Sequence, residues 1–160
     1  MYITFEYYQT EYGGKLVTDE LEFNRTAKGA ERYMDVITLR KLRFAFPTED
    51  AEDVKYVECK LIDFITSVER AKEAIGDGYI HNKNGTVQGK AIVSISSGSE
   101  SVSYSNAAAT SDVSKAVSDT DAYNHIINEM IINGLRGLKD ANGVNLLYAG
   151  PYPGKEDIWG

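Results

Sequence analysis

The chain has 160 residues with a hydrophobic fraction of 42%, enough for one domain with a real core and no need of disulfides. Its 24 acidic and 17 basic residues leave a formal charge of −7, which opposes general binding to a polyphosphate, since that binding draws on Lys and Arg to release condensed counterions. No apolar run approaches the roughly 18 to 20 residues needed to cross a bilayer, no signal-peptide pattern is visible, and the lone Cys59 cannot pair within the chain, so a reducing cytoplasm and no membrane are expected.

The pattern predicts a short first helix over residues 4–12, opened by Thr4 and closed by Gly13 and Gly14. A second helix is predicted from Thr18 or Asp19, because Asp19 with Glu22 fits a capping box and Phe23, Ala27, Ala30, Met34 and Ile37 recur at helical spacing. Residues 39–47 break that stripe and precede Pro47, so they are expected to form a linker. Its basic cluster, Arg40, Lys41 and Arg43, is a candidate contact for phosphate or an acidic partner, set against the plainer role of a solvated helix end. A third and longest helix is predicted from Thr48 to about Ile75. Its stripe of Val54, Val57, Leu61, Phe64, Val68, Ala71 and Ile75, widened by Ile62 and Ile65, would occupy the centre of a bundle.

Residues 76–90 read as a polar, glycine-rich loop. A β-hairpin is predicted near residues 91–105, with Val93 and Ile95 alternating with serines on one strand and Val102 and Tyr104 on the other. The small-residue stretch 106–118 gives no decisive pattern. A fourth helix is predicted over residues 121–138 from Tyr123, Ile126, Ile127, Met130, Ile131, Leu135 and Leu138, ended by Asn142 and Gly143. After it comes an extended tail, residues 145–160, whose Leu146, Leu147, Tyr148, Tyr152 and Trp159 are separated by prolines and glycines and cannot build a core of their own. The expected architecture is therefore mainly α: a small bundle of about four helices over residues 1–144, with an inserted β-hairpin and an extended C-terminal tail.

Little in the residues advertises catalysis. With only His81 and His125, a histidine triad or a multi-histidine metal site lacks material, and Cys59 has the setting of a buried, inert thiol. Residues 85–90 fall one residue short of a phosphate-binding loop, and Ala91 stands where a hydroxyl would hold magnesium. The serines around Gly98 lack the second glycine of a nucleophile elbow. No catalytic residue, cofactor or metal is expected.

The order of segments along the chain carries a resemblance. An opening of the type at residues 2–8 is followed by a helix of the type at residues 23–35, a basic-aromatic linker, and a Pro-preceded helix with residues 54–63. After these come an Ile-x-Ser-x-Ser strand at 92–96, a Ser-Val-Ser-Tyr strand at 101–104, a closing helix and a Leu-Leu-Tyr-x-Gly ending at 146–150. Together they resemble the head-tail connector (head completion, or adaptor) proteins of long-tailed phages, although the loop at 76–90 and the chain beyond Gly150 are longer than in the smallest members. That resemblance implies a virion structural protein at the head-tail interface, assembled in the host cytoplasm, that forms a ring, commonly twelvefold, between the portal protein and a stopper or tail-completion protein. DNA would pass through its channel without specific binding. Leu146, Leu147, Tyr148, Tyr152 and Trp159 would then dock on the portal or a neighbouring subunit, because aromatic anchors dominate such contacts, and Val93, Ile95, Val102 and Tyr104 would serve between subunits. The alternative is a small DNA-packaging or nucleic-acid-binding accessory factor.

Overall fold

The structure, a computed structural model, describes residues 1–76, 94–97, 100–103 and 111–150. The described protein is mainly α, with helices α1 (Phe5–Thr10), α2 (Glu20–Ile37), α3 (Lys41–Phe44), α4 (Ala51–Gly76), α5 (Asp112–Ser118) and α6 (Thr120–Gly134). By its packing the chain divides into two compact units. One comprises Met1–Ile65 with the chain from Ile127 onward, and the other Thr66–Ile126, so α4 and α6 each contribute to both.

In the first unit the helix starts follow local chemistry. Thr4 accepts the Tyr7 N–H at 3.1 Å to open α1, and Asp19 accepts the Glu22 N–H at 2.8 Å to open α2, each satisfying a donor the first turn leaves unpaired. The stripe Phe23, Ala27, Ala30 and Met34 is fully buried, as are Val54, Leu61 and Ile62 of α4 and Ile127 and Ile131 of α6. At about 25 cal/mol per Å² of apolar surface, these side chains are the main source of stability.

Six-residue α1 is too short to hold itself in water. Tyrosines pin it and its flanks: the Tyr8 and Tyr12 hydroxyls donate to the two oxygens of Asp63 on α4, the latter at 2.9 Å, and the Tyr7 hydroxyl donates to Glu52 at 2.7 Å. Tyr8 is fully buried, with its ring 5.5 Å from that of Phe23 and its hydroxyl accepting the Val17 N–H at 3.4 Å. The returning chain passes so close that a Cβ on Gly14 would lie 2.3 Å from the Tyr8 ring.

Three expectations need correction. Residues 39–47 are not simply a linker, because Leu39 and Arg40 take left-handed backbone (φ 52° and 62°) and turn the chain directly into α3. The third helix begins at Ala51 and not Thr48, its first-turn Val54 N–H bonding back to the Asp50 carbonyl. The last helix ends at Gly134, four residues before the expected Leu138. The apolar spacing continues through Leu135 and Leu138, but Gly137 takes φ 85° and redirects the backbone. Gly134 itself lets α6 approach α4, since a Cβ there would meet Val57 at 2.4 Å.

In the second unit, Ser111 caps α5 by accepting the Ser114 N–H at 3.2 Å, giving a helix to part of the stretch whose sequence pattern was indecisive. The Lys72 ammonium lies 5.2 Å from the Tyr123 ring centroid. Two four-residue strands, β1 (Ser94–Ser97) and β2 (Glu100–Ser103), pair antiparallel with Ile95 opposite Val102. That pairing does not establish an inserted hairpin of the expected extent, because 91–93 and 104–105 lie outside the described residues.

Two glycines separate packing from backbone freedom. Gly14→Ala should lower stability by about 1–3 kcal/mol, since the Tyr8 ring it meets is fixed at both face and hydroxyl. Gly29→Ala, in mid-α2 with nothing within 4 Å of the added methyl, should raise stability by about 0.5–1 kcal/mol. Urea unfolding midpoints of the two variants should therefore move in opposite directions from that of the parent chain.

Candidate docking surface

The expected docking segment, residues 145–160, follows the turn that comes after α6, and its course is set by one aspartate. Asp140, nearly buried, accepts the N–H groups of Asn142 (2.8 Å) and Val144 (2.9 Å) on one carboxylate oxygen. Gly143 (φ 78°) completes the reversal, which pairs Lys139 with Asn145 in an antiparallel bridge. The loop is tied down by the Lys139 N–H to Asp50 (2.8 Å) and the Ala141 N–H to the Ala45 carbonyl (3.1 Å). Asn142 and Gly143 thus make a turn beyond the helix and do not terminate it.

This turn delivers Leu146 into the core, where it is fully buried and its N–H donates to the Leu138 carbonyl at 2.9 Å. Lys41 fixes the segment that follows. Its side chain is buried, and its ammonium donates to the carbonyls of Leu146 (3.3 Å) and Tyr148 while standing 5.9 Å from the Tyr148 ring centroid. Leu147 is half-buried and Tyr148 is 45% exposed. The chain at Gly150 passes close to the Tyr148 hydroxyl, the outer end of an exposed side chain. Of the five expected docking residues, Leu146 is therefore core, Tyr148 is surface, Leu147 lies between, and Tyr152 and Trp159 fall outside the described residues.

The three basic residues do not converge on one ligand. Arg40 is exposed, Arg43 is exposed with its Nε 3.8 Å from Asp35, and Lys41 points inward to the carbonyls just named. Sequence reasoning assigned Lys41 to solvent or phosphate; its partners stand more than a hundred positions away, and no local signal announces them. For the expected inter-subunit residues, Ile95 and Val102 are directly opposed in backbone register, and Val93 and Tyr104 lie outside the described residues.

Glu58 is a further buried group, absent from the expected site residues. It is fully buried on α4 with neither carboxylate oxygen hydrogen-bonded. Its carboxyl is pushed up to about 8, chiefly by desolvation; the carboxylates of Glu31 and Asp35 add to the shift and the Met1 ammonium offsets part of it. The signal was available, because Glu58 lies four residues after Val54 and three before Leu61, inside the apolar stripe. Next to it, Cys59 is buried and unpaired by disulfide, its thiol pushed up to about 12 by burial and then by Glu58 and Asp63, which keeps it protonated and unreactive. His125 is exposed, and His81 lies outside the described residues. Among the described residues no cluster of three or more His, Cys, Asp or Glu could hold a metal ion, and no helix is long and apolar enough to cross a membrane.

Comparison of the chain with protein-family models, with curated proteins and with solved structures found no match.

Two outcomes follow from this geometry. Leu146→Ala should cost about 2–5 kcal/mol in unfolding free energy, as for other buried leucines, and chain shortening that removes residue 146 should unfold more readily than shortening after Gly150. Glu58 sets a pH dependence. Its carboxyl holds a proton in the folded state up to about 8 but ionises near 4.5 when unfolded, so its favourable contribution is complete below 4.5 and is lost as pH rises through 8. Stability should fall across that window, and Glu58→Gln should flatten the fall in urea unfolding series run from about pH 5 to about pH 9.

Proposed function

We propose that this chain is a structural connector of the head-tail type: a virion protein that forms a ring under the portal, prolongs the DNA channel and offers a platform to a stopper or tail-completion protein. The observation that carries this reading is the construction of the C-terminal segment. Lys41 holds the carbonyls of residues 146 and 148 while Leu146 is buried, so Tyr148 is presented outward from a fixed base and the chain continues toward Tyr152 and Trp159. An anchored segment with an exposed aromatic is suited to docking, because ordering costs at the interface are then already met.

The order of segments along the chain supports the same reading, as does the mainly helical architecture. The charge fits too. A channel wall rich in carboxylates would let DNA slide where Lys and Arg would hold it. In this reading the segment around β1 and β2 is an inserted hairpin that meets a neighbouring subunit, and the role is structural, with no cofactor or metal.

Mass measurement with and without portal protein tests it. Rings should form on portals, and shortening the chain after Gly150, or Tyr148→Ala, should leave the fold intact while weakening portal binding by tenfold or more. A chain that binds no portal under conditions where tails attach, or that binds DNA with an affinity falling steeply in salt, would replace this reading with that of a packaging or nucleic-acid-binding factor.

A further inference from the structure

The two ends of α2 differ in a way that the core does not require. At its start, Leu21 is 80% exposed between Glu20 and Glu22, with the capping Asp19 beside them. Glu22 and, one turn on, Arg25 are already engaged within the chain, which leaves Glu20 as the exposed carboxylate beside Leu21. At its far end, about 27 Å away at 1.5 Å per residue, Val36 is 73% exposed, Leu39 58% and Phe44 80%. Arg40 and Arg43 stand among them, both exposed.

That far end is held in an unfavourable conformation. Leu39 and Arg40 are consecutive non-glycine residues with left-handed backbone, each costing on the order of 1–2 kcal/mol. The strain persists because the Arg40 N–H bonds the Asp35 carbonyl (2.6 Å) and α3 packs behind it. Leu39 and Arg40 at this turn both face water.

We propose that the two ends of α2 are the halves of a self-contact: the acidic end with Leu21 receives the basic, apolar corner of Leu39, Arg40 and Phe44 from a second copy of this chain. Charge complementarity selects that occupant. The exposed guanidinium of Arg40 beside exposed Leu39 and Phe44, with Arg43 already paired to Asp35, fits an acidic partner with an apolar centre, and the same chain presents one, with Glu20 exposed beside Leu21. Because the two surfaces differ, the contact is heterologous, and repeating it head to tail either closes a ring or extends a fibre. The inference rests on the connector reading for its biological setting and deepens it by naming the surfaces through which copies meet.

A charge-swap series followed by sedimentation, from micromolar to millimolar chain, tests it. Arg40→Glu and Glu20→Arg should each weaken self-association about tenfold. Combining both changes in one chain, or mixing the two single variants, should restore it to within about threefold, since every contact then again joins opposite charges. Phe44→Ser should weaken it without rescue, and thermal melts should show all variants folded. Single variants that associate like the parent chain, or singles that weaken without rescue, overturn these surfaces while leaving the connector reading standing. A parent chain monomeric throughout the range also overturns the self-contact, whereas ring formation on portals decides the connector reading separately. Loss of single-stranded oligonucleotide binding in Arg40→Glu, with association unchanged, would assign the corner to nucleic acid and overturn it as well.

Discussion

The first unit depends on hydrogen bonds between tyrosine hydroxyls and carboxylates. Tyr2 donates to Asp35 on α2 at 2.5 Å, Tyr8 and Tyr12 share Asp63 on α4, and Tyr7 reaches Glu52. Burial is the first cause holding all four phenols well above their usual range, followed by the carboxylate each one faces. The phenols therefore stay protonated donors. Hydrogen bonds to charged acceptors contribute about 1.5–3 kcal/mol; the part-buried Asp63 pair lies toward the lower end of that range, while Glu52, at the surface, adds mainly direction. A helix of six residues gains its place from these bonds and from the Phe5 and Tyr8 rings against Phe23.

The later part of the unit is secured by different chemistry with the same logic. Lys41 is a donor with three protons and no acceptor capacity, and its partners are main-chain carbonyls that a loop would otherwise leave bare. Asp140 does the converse, accepting main-chain N–H groups at the turn. In each case one buried ionic side chain substitutes for the ladder that an irregular segment lacks. Leu146 is then placed in the core by a polar scaffold, which a hydrophobic pattern alone would not foresee.

What was legible in the sequence divides along the same line. The caps at Thr4 and Asp19 and the stripes of α2, α4 and α6 are local, because helical spacing and capping are decided within a turn or two of chain. Helix α3 was not legible: four residues entered through two left-handed ones make no period. The apolar run to Leu138 suggested more helix than forms, because Leu135 is fully buried and Leu138 half-buried from a bent chain that the apolar spacing does not distinguish from a straight one. Among the candidate docking residues, sequence separated apolar from polar but could not separate buried Leu146 from exposed Tyr148; that choice belongs to Lys41, more than a hundred residues earlier in the chain.

The charge of the protein needs the same separation. A formal −7 counts every carboxylate as a surface charge, yet Asp35, Glu58 and Asp140 are buried, and Glu58 is held protonated through neutral pH. Of these, Glu58 in its protonated form adds no charge to the field a partner meets, while Asp35 and Asp140 are turned inward on the groups they hold. What a partner meets is a pattern: carboxylates at the start of α2, guanidinium groups at its end, and apolar side chains exposed at both. A uniformly acidic surface would repel copies of itself as it repels DNA. Segregated ends allow a net negative charge to coexist with attraction between copies, the combination that the proposed ring around DNA would need.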